Sequence, residues 1–141
     1  MENANITLII KQTAEGETDS SELITRGEFR YHKGSYFIDY DETEATGYDG
    51  CHVQLRVADG VMNMTRTGKA FSSLLFEDGQ RHYCHYGTEY GSCMVGITTL
   101  EIKNTLSAQG GEVCARYTID VNAGLVTTNE ITVRVRLLEK E

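Results

Sequence analysis

Apolar residues recur at every second position in segment after segment of this chain, and that period of two constrains the fold more than any other feature of the sequence. Ile6, Leu8 and Ile10 fall on one face of a first segment. Leu23, Thr25, Phe29 and Tyr31 share a face of the second, opposite Arg26, Glu28 and Arg30. Tyr36, Ile38 and Tyr40 form a third set, and Val53, Leu55 and Val57 a fourth, against His52, Gln54 and Arg56. Further on, Val113, Ala115, Tyr117, Ile119 and Val121 alternate with Cys114, Arg116, Thr118 and Asp120. Ile131, Val133, Val135 and Leu137 then alternate with Thr132, Arg134 and Arg136. Successive side chains of a strand point to opposite faces, so the pattern predicts antiparallel sheet with one face on a core and one in water.

The breaks between these runs read as hairpin turns. The chain has no proline and 14 glycines, so its turns rest on Gly, Asp and Asn. Lys33-Gly34, Asp59-Gly60, Thr67-Gly68, Asp78-Gly79 and Gly110-Gly111 each sit between strand-like runs. Residues 69–76 and 80–88 alternate poorly, and Phe71, Leu74, Leu75 and Phe76 do not choose one face. Residues 98–109 fit a long bent strand or a short helix; Ile97, Thr98, Thr99, Ile102 and Thr105 favour strand. The longest predicted loop is the acidic stretch 41–50. With no repeat or linker, residues 1–141 read as a single all-β domain, an antiparallel up-and-down barrel of about 8–10 strands.

At 141 residues, 40 % of them hydrophobic, such a chain can bury a core without disulfides or metal. A net charge of −8 argues against nucleic acid as a partner. No apolar stretch approaches the roughly 20 residues of a membrane helix, and the N-terminus does not read as a signal peptide, so a cytoplasmic protein is expected. There Cys51, Cys84, Cys93 and Cys114 are expected as reduced thiols.

Tyr40-Asp41-Glu42 closes the third predicted strand and Arg66-Thr67-Gly68 the fifth. Tyr86-Gly87-Thr88-Glu89-Tyr90-Gly91 precedes the long eighth segment, and Tyr117 lies in a late alternating strand. In this order and spacing, over nearly the whole chain, these residues resemble the YwiB-like family of small bacterial proteins. The resemblance implies a calycin-type (lipocalin-like) β-barrel and no established activity. The chain departs from that family in being rich in Cys and His, so those residues take no role from it.

Candidate chemistry is sparse. Cys51-His52 and His82-Tyr83-Cys84-His85 lack the Cys-x2-Cys spacing of structural zinc sites, and no metal or other cofactor is expected. Asp39, Asp41, Glu42 and Glu44 lack the ladder of a calcium loop and read as a solvated acidic hairpin. His32 is expected at the surface, and no Gly-x-Ser-x-Gly hydrolase element is present. Arg66 is more informative, because Met62, Met64 and Arg66 share one parity and place a cation on an apolar face. A buried guanidinium must be paired or lie at a water-accessible mouth. Glu42 or Glu89 can pair it permanently, or a ligand anion can do so when present. Tyr36, Tyr40, Tyr86, Tyr90 and Tyr117 can each place a ring inside and a hydroxyl at a polar rim.

The sequence therefore predicts a non-catalytic barrel with a polar mouth built from Arg66, Tyr40, Glu42, Tyr86, Thr88, Tyr90 and Tyr117. The expected partner is an anionic or carbonyl-bearing small molecule; a homodimer is compatible with it. An enzyme using Arg66 with Glu42 or Glu89, and a protein–protein interaction barrel, are the alternatives. No nucleophile–base–orienter set is visible, which favours binding over catalysis.

Overall fold

The computed structural model describes residues 2–43, 49–88, 91–121, 124 and 126–138. Ten strands follow one another: β1 (Ala4–Ala14), β2 (Glu17–His32), β3 (Ser35–Asp41), β4 (His52–Ala58), β5 (Val61–Thr67), β6 (Ser72–Glu77), β7 (Arg81–Thr88), β8 (Gly91–Asn104), β9 (Gly110–Asp120) and β10 (Val126–Leu137). Each pairs with the next, and β10 pairs with β1, closing an antiparallel barrel. The closing seam is long, running from Ala4 opposite Leu137 to Thr13 opposite Thr128. No helix among the described residues is long and apolar enough to cross a membrane.

At two of the tight turns a non-glycine residue and the glycine after it both adopt left-handed backbone. Lys33 (φ 49°) and Gly34 (φ 84°) join β2 to β3, and Glu15 (φ 51°) and Gly16 (φ 80°) join β1 to β2. The second of these turns is not apparent in the sequence, because residues 11–22 around it are largely polar and show no apolar alternation to bracket it. The 16-residue β2 is shared between two partners, pairing with β1 up to Gly27 and with β3 from Gly27 onward. A Cβ at Gly27 would run into the Asp39 carbonyl oxygen and Ile6, so only glycine lets the strand bend there.

The ambiguous middle of the chain resolves for two reasons. In β8, Val95, Ile97 and Thr99 point inward, then a bulge between Thr99 and Glu101 pushes Leu100 out (48 % exposed) and restores Ile102 to the core side. That extra residue is what spoils the alternation over residues 98–104; the stretch is strand to Asn104 and a turn beyond. In β6, Leu74 and Phe76 are buried, whereas Phe71 precedes the strand and is exposed. Val121 and Tyr31 depart from the predicted inward sets: Val121 lies beyond the end of β9, Tyr31 at the end of β2, and both are exposed.

The β6–β7 seam is the weakest in the barrel, with one registered pair, Ser73 opposite His85. Beside it the Leu75 N–H donates to Cys84 Sγ at 3.4 Å, a thiol standing where a ladder carbonyl would be expected. The Gly87 N–H donates to Ser72 Oγ at 2.9 Å.

Large side chains fill the half of the barrel nearest the chain termini: Ile6, Leu8, Ile38, Leu55, Met62 and Phe76 are all but fully buried. The other end carries the turns leaving β1, β3, β5, β7 and β9. This is the mouth.

Candidate functional site

Arg66 is the last inward residue of β5 and is buried, as its parity with Met62 and Met64 predicts. Its charge is met inside the protein. Nε donates to Glu42 Oε2 and Nη2 to Glu42 Oε1, both at 2.9 Å. The Arg66 and Glu42 side chains are 6 % and 1 % exposed. Glu42 follows β3 and continues its inward parity after Ile38 and Tyr40; its N–H donates to the Cys51 carbonyl at 2.9 Å, which fixes the approach of the carboxylate. Glu42 is thus not part of a solvated acidic hairpin. The alternating pattern of β3 carries it inward, while Asp39 and Asp41 point outward to His52, at 3.1 and 2.9 Å.

Beyond Arg66 the described residues leave space in the interior. A cavity of about 220 Å³ opens at the mouth, its apolar wall including Ile10, Met64, Leu74 and Ile131. Arg66, Tyr86, Tyr117 and Asn129 line it too. Gly87 helps to hold this rim, because its missing Cβ lets the Phe71 backbone pack directly against β7.

Of the predicted rim residues, Arg66, Tyr86 and Tyr117 are brought together on the cavity wall. Glu42 and Tyr40 are not on that wall. The Tyr40 hydroxyl is fully buried and has no hydrogen-bond partner among the described residues. Burial first, and then the Glu42 carboxylate, push its ionisation well above the usual phenol range, so Tyr40 is neutral at every physiological pH. Burial, and then Tyr86, do the same to Tyr117. Thr88 ends β7, and its side chain lies outside the described residues, as do Tyr90 and Glu89.

Asn129 is the site residue that sequence reasoning missed. It is 5 % exposed and pairs with Tyr117 across β9 and β10. Extending the alternation of Ile131 and Val133 two residues backward places a polar side chain on the core face, the same signal that singles out Arg66.

None of the four cysteines is in a disulfide; Cys51 and Cys84 are buried, Cys114 half-buried and Cys93 exposed. Burial pushes the Cys84 thiol up, which disfavours a nucleophilic thiolate. His82 bonds Glu77 at 2.8 Å, and no cluster of three or more His, Cys, Asp or Glu among the described residues is arranged to hold a metal.

No curated protein matches the chain. Among solved structures, the chain is similar to the crystal structure of the ywiB protein from Bacillus subtilis, with a TM-score of 0.70 and 20 % identity. The match covers 94 % of this chain and 92 % of that one, and at such identity it shows the shared barrel alone. The family described as "Domain of unknown function (DUF1934)" matches residues 6–133. With the family matched over nearly all ten strands and the barrel shared with ywiB, the chain belongs to this YwiB-like family of unknown function.

Proposed function

We propose that the protein is a non-catalytic binding barrel that takes one small molecule, anionic or carbonyl-bearing, into the mouth beside Arg66. One observation carries the reading: a barrel packed in one half keeps a cavity of about 220 Å³ in the other, with an apolar wall and a few polar groups. That combination is the usual character of a ligand site. The volume exceeds the roughly 150 Å³ that accepts benzene and falls below the roughly 300 Å³ at which drug-sized sites begin, so the occupant is small. The Arg66–Glu42 pair is neutral as a unit, which favours a carbonyl over a full negative charge. It also supports binding over catalysis, because Glu42 is engaged through both oxygens and sealed from solvent. The free thiols are in keeping with a cytoplasmic setting.

Native mass spectrometry of protein purified gently from its own cells tests the reading. A small organic mass retained by the wild type and lost in Leu74→Trp, which fills the cavity, is the expected result. Retention by both forms would place any ligand elsewhere.

A further inference from the structure

We infer that the head group of the ligand is a neutral donor–acceptor pair, such as an amide or lactam, read jointly by Tyr117 and Asn129 rather than by Arg66. The inference rests on the binding reading above and specifies its chemistry. Tyr117 on β9 and Asn129 on β10 are register partners. They are 7 % and 5 % exposed, and both line the mouth cavity. The Asn129 amide orientation is set by its neighbours. Its Nδ2 donates to the Thr127 carbonyl at 3.3 Å and to Thr127 Oγ1 at 3.0 Å. A backbone carbonyl can only accept, so the NH₂ must face it, and Oδ1 takes the other side.

Neither Asn129 Oδ1 nor the Tyr117 hydroxyl has a hydrogen bond among the described residues. Of the described buried polar side-chain atoms sealed from solvent, only Tyr40 Oη and Thr99 Oγ1 lack a partner. The Tyr117 and Asn129 atoms are therefore partnerless but not sealed, and the cavity they line is what they open into. A nearly buried polar atom without a partner costs free energy, and here two such atoms belong to register partners that line one cavity.

Their chemistry is complementary to one group. Tyr117 stays un-ionised, so its O–H can donate, and Asn129 Oδ1 can only accept. A ligand carbonyl beside an N–H satisfies both at once. A carboxylate would satisfy Tyr117 and repel Oδ1. Arg66 is on β5, five strands from β10 in a ring of ten and so on the opposite wall, with its charge already met by Glu42. The apolar side chains of Met64, Leu74 and Ile131 are left for the body of the ligand.

Three near-isosteric probes separate the alternatives: benzamide (acceptor and donor), acetophenone (acceptor only) and benzoate (anion). Each is titrated into ¹⁵N-labelled full-length protein, following the amides of residues 64, 74, 117, 129 and 131. Benzamide should bind about tenfold more tightly than the other two, the worth of one good hydrogen bond. Tyr117→Phe keeps the ring against Phe76 and removes a hydroxyl that has no hydrogen bond among the described residues. It should weaken benzamide severalfold, leave acetophenone's preference over benzoate to be set by charge alone, and leave the melting temperature unchanged. Benzoate binding tightest, or all three binding alike, would overturn the donor–acceptor assignment while leaving a ligand-binding barrel intact. If no probe shifts these amides at millimolar concentration, both the assignment and the binding reading fall.

Discussion

Replacing Arg66 by Met tests whether the Arg66–Glu42 pair is a fixed part of the fold. The substitution keeps the apolar stem on the same inward face as Met62 and Met64 and removes the guanidinium. What remains is a Glu42 carboxylate 1 % exposed, stripped of both of its 2.9 Å charged donors. Breaking a buried pair from one side typically costs about 3–5 kcal/mol, because a charge is left stranded in a medium that solvates it poorly. Against a total stability of roughly 5–15 kcal/mol, that is a large fraction. For a chain of this size it corresponds to a fall in melting temperature on the order of 10–20 °C. Removing both charges should reverse most of the loss, since an apolar pair of similar volume is often as stable as the ion pair it replaces. Arg66→Met/Glu42→Met is therefore expected within about 1–2 kcal/mol of wild type. Urea unfolding followed by far-UV circular dichroism measures all four corners of this cycle. A single Arg66→Met variant as stable as wild type would refute the reasoning, as would a double variant no better than the sum of the two singles.

Other sites give independent checks. Gly87→Ala drives a methyl group into the Phe71 backbone and should cost about 1–3 kcal/mol, read as a lowered melting temperature. The β6–β7 seam has one registered pair, so the Leu75 amide should exchange with deuterium sooner than those along β1 and β10; equal protection would contradict the weak seam. Hydrogen bonds donated by the imidazolium to Asp41 first, and also to Asp39, raise the His52 ionisation above its ordinary 6.5. The stabilisation is then fully present below 6.5 and lost as pH rises through the raised value, so His52→Asn should destabilise the protein at pH 5.5 and be neutral near pH 9. An NMR titration midpoint for His52 below 6.5 would contradict this.

The barrel is legible in the sequence wherever one face meets the core and the other meets water, as in β1, β3, β4, β5, β9 and β10. It is hard to read in β8, where the bulge at Leu100 switches the inward parity from odd to even, and in β6, where the exposed Phe71 lies next to truly buried Leu74 and Phe76. The Glu15-Gly16 hairpin is silent because residues 11–22 on either side of it are largely polar and solvent-facing, so no apolar alternation brackets the turn. At the site, parity locates Arg66, since a polar residue in phase with an apolar run has to lie inside; Glu42 is in phase with Ile38 and Tyr40 too, but the acidic residues around it read as a solvated hairpin and hide the signal. Which of these meet is beyond parity. That Glu42 reaches Arg66, and that Tyr117 stands beside Asn129, follow from the registers of β3 with β4, β4 with β5, and β9 with β10. Whether space remains between them depends on how far the Met64, Leu74 and Ile131 side chains reach.

The central claim is that this remaining space is a ligand site. A fragment screen by two-dimensional NMR on the full-length protein tests it most directly, with Leu74→Trp as the filled-cavity control. The account predicts small, mostly apolar fragments bearing a carbonyl, whose shifts map to residues 64, 66, 74, 86, 117 and 129 and vanish in the control. Shifts that map to the outer face of the barrel, or that persist unchanged in Leu74→Trp, would contradict it.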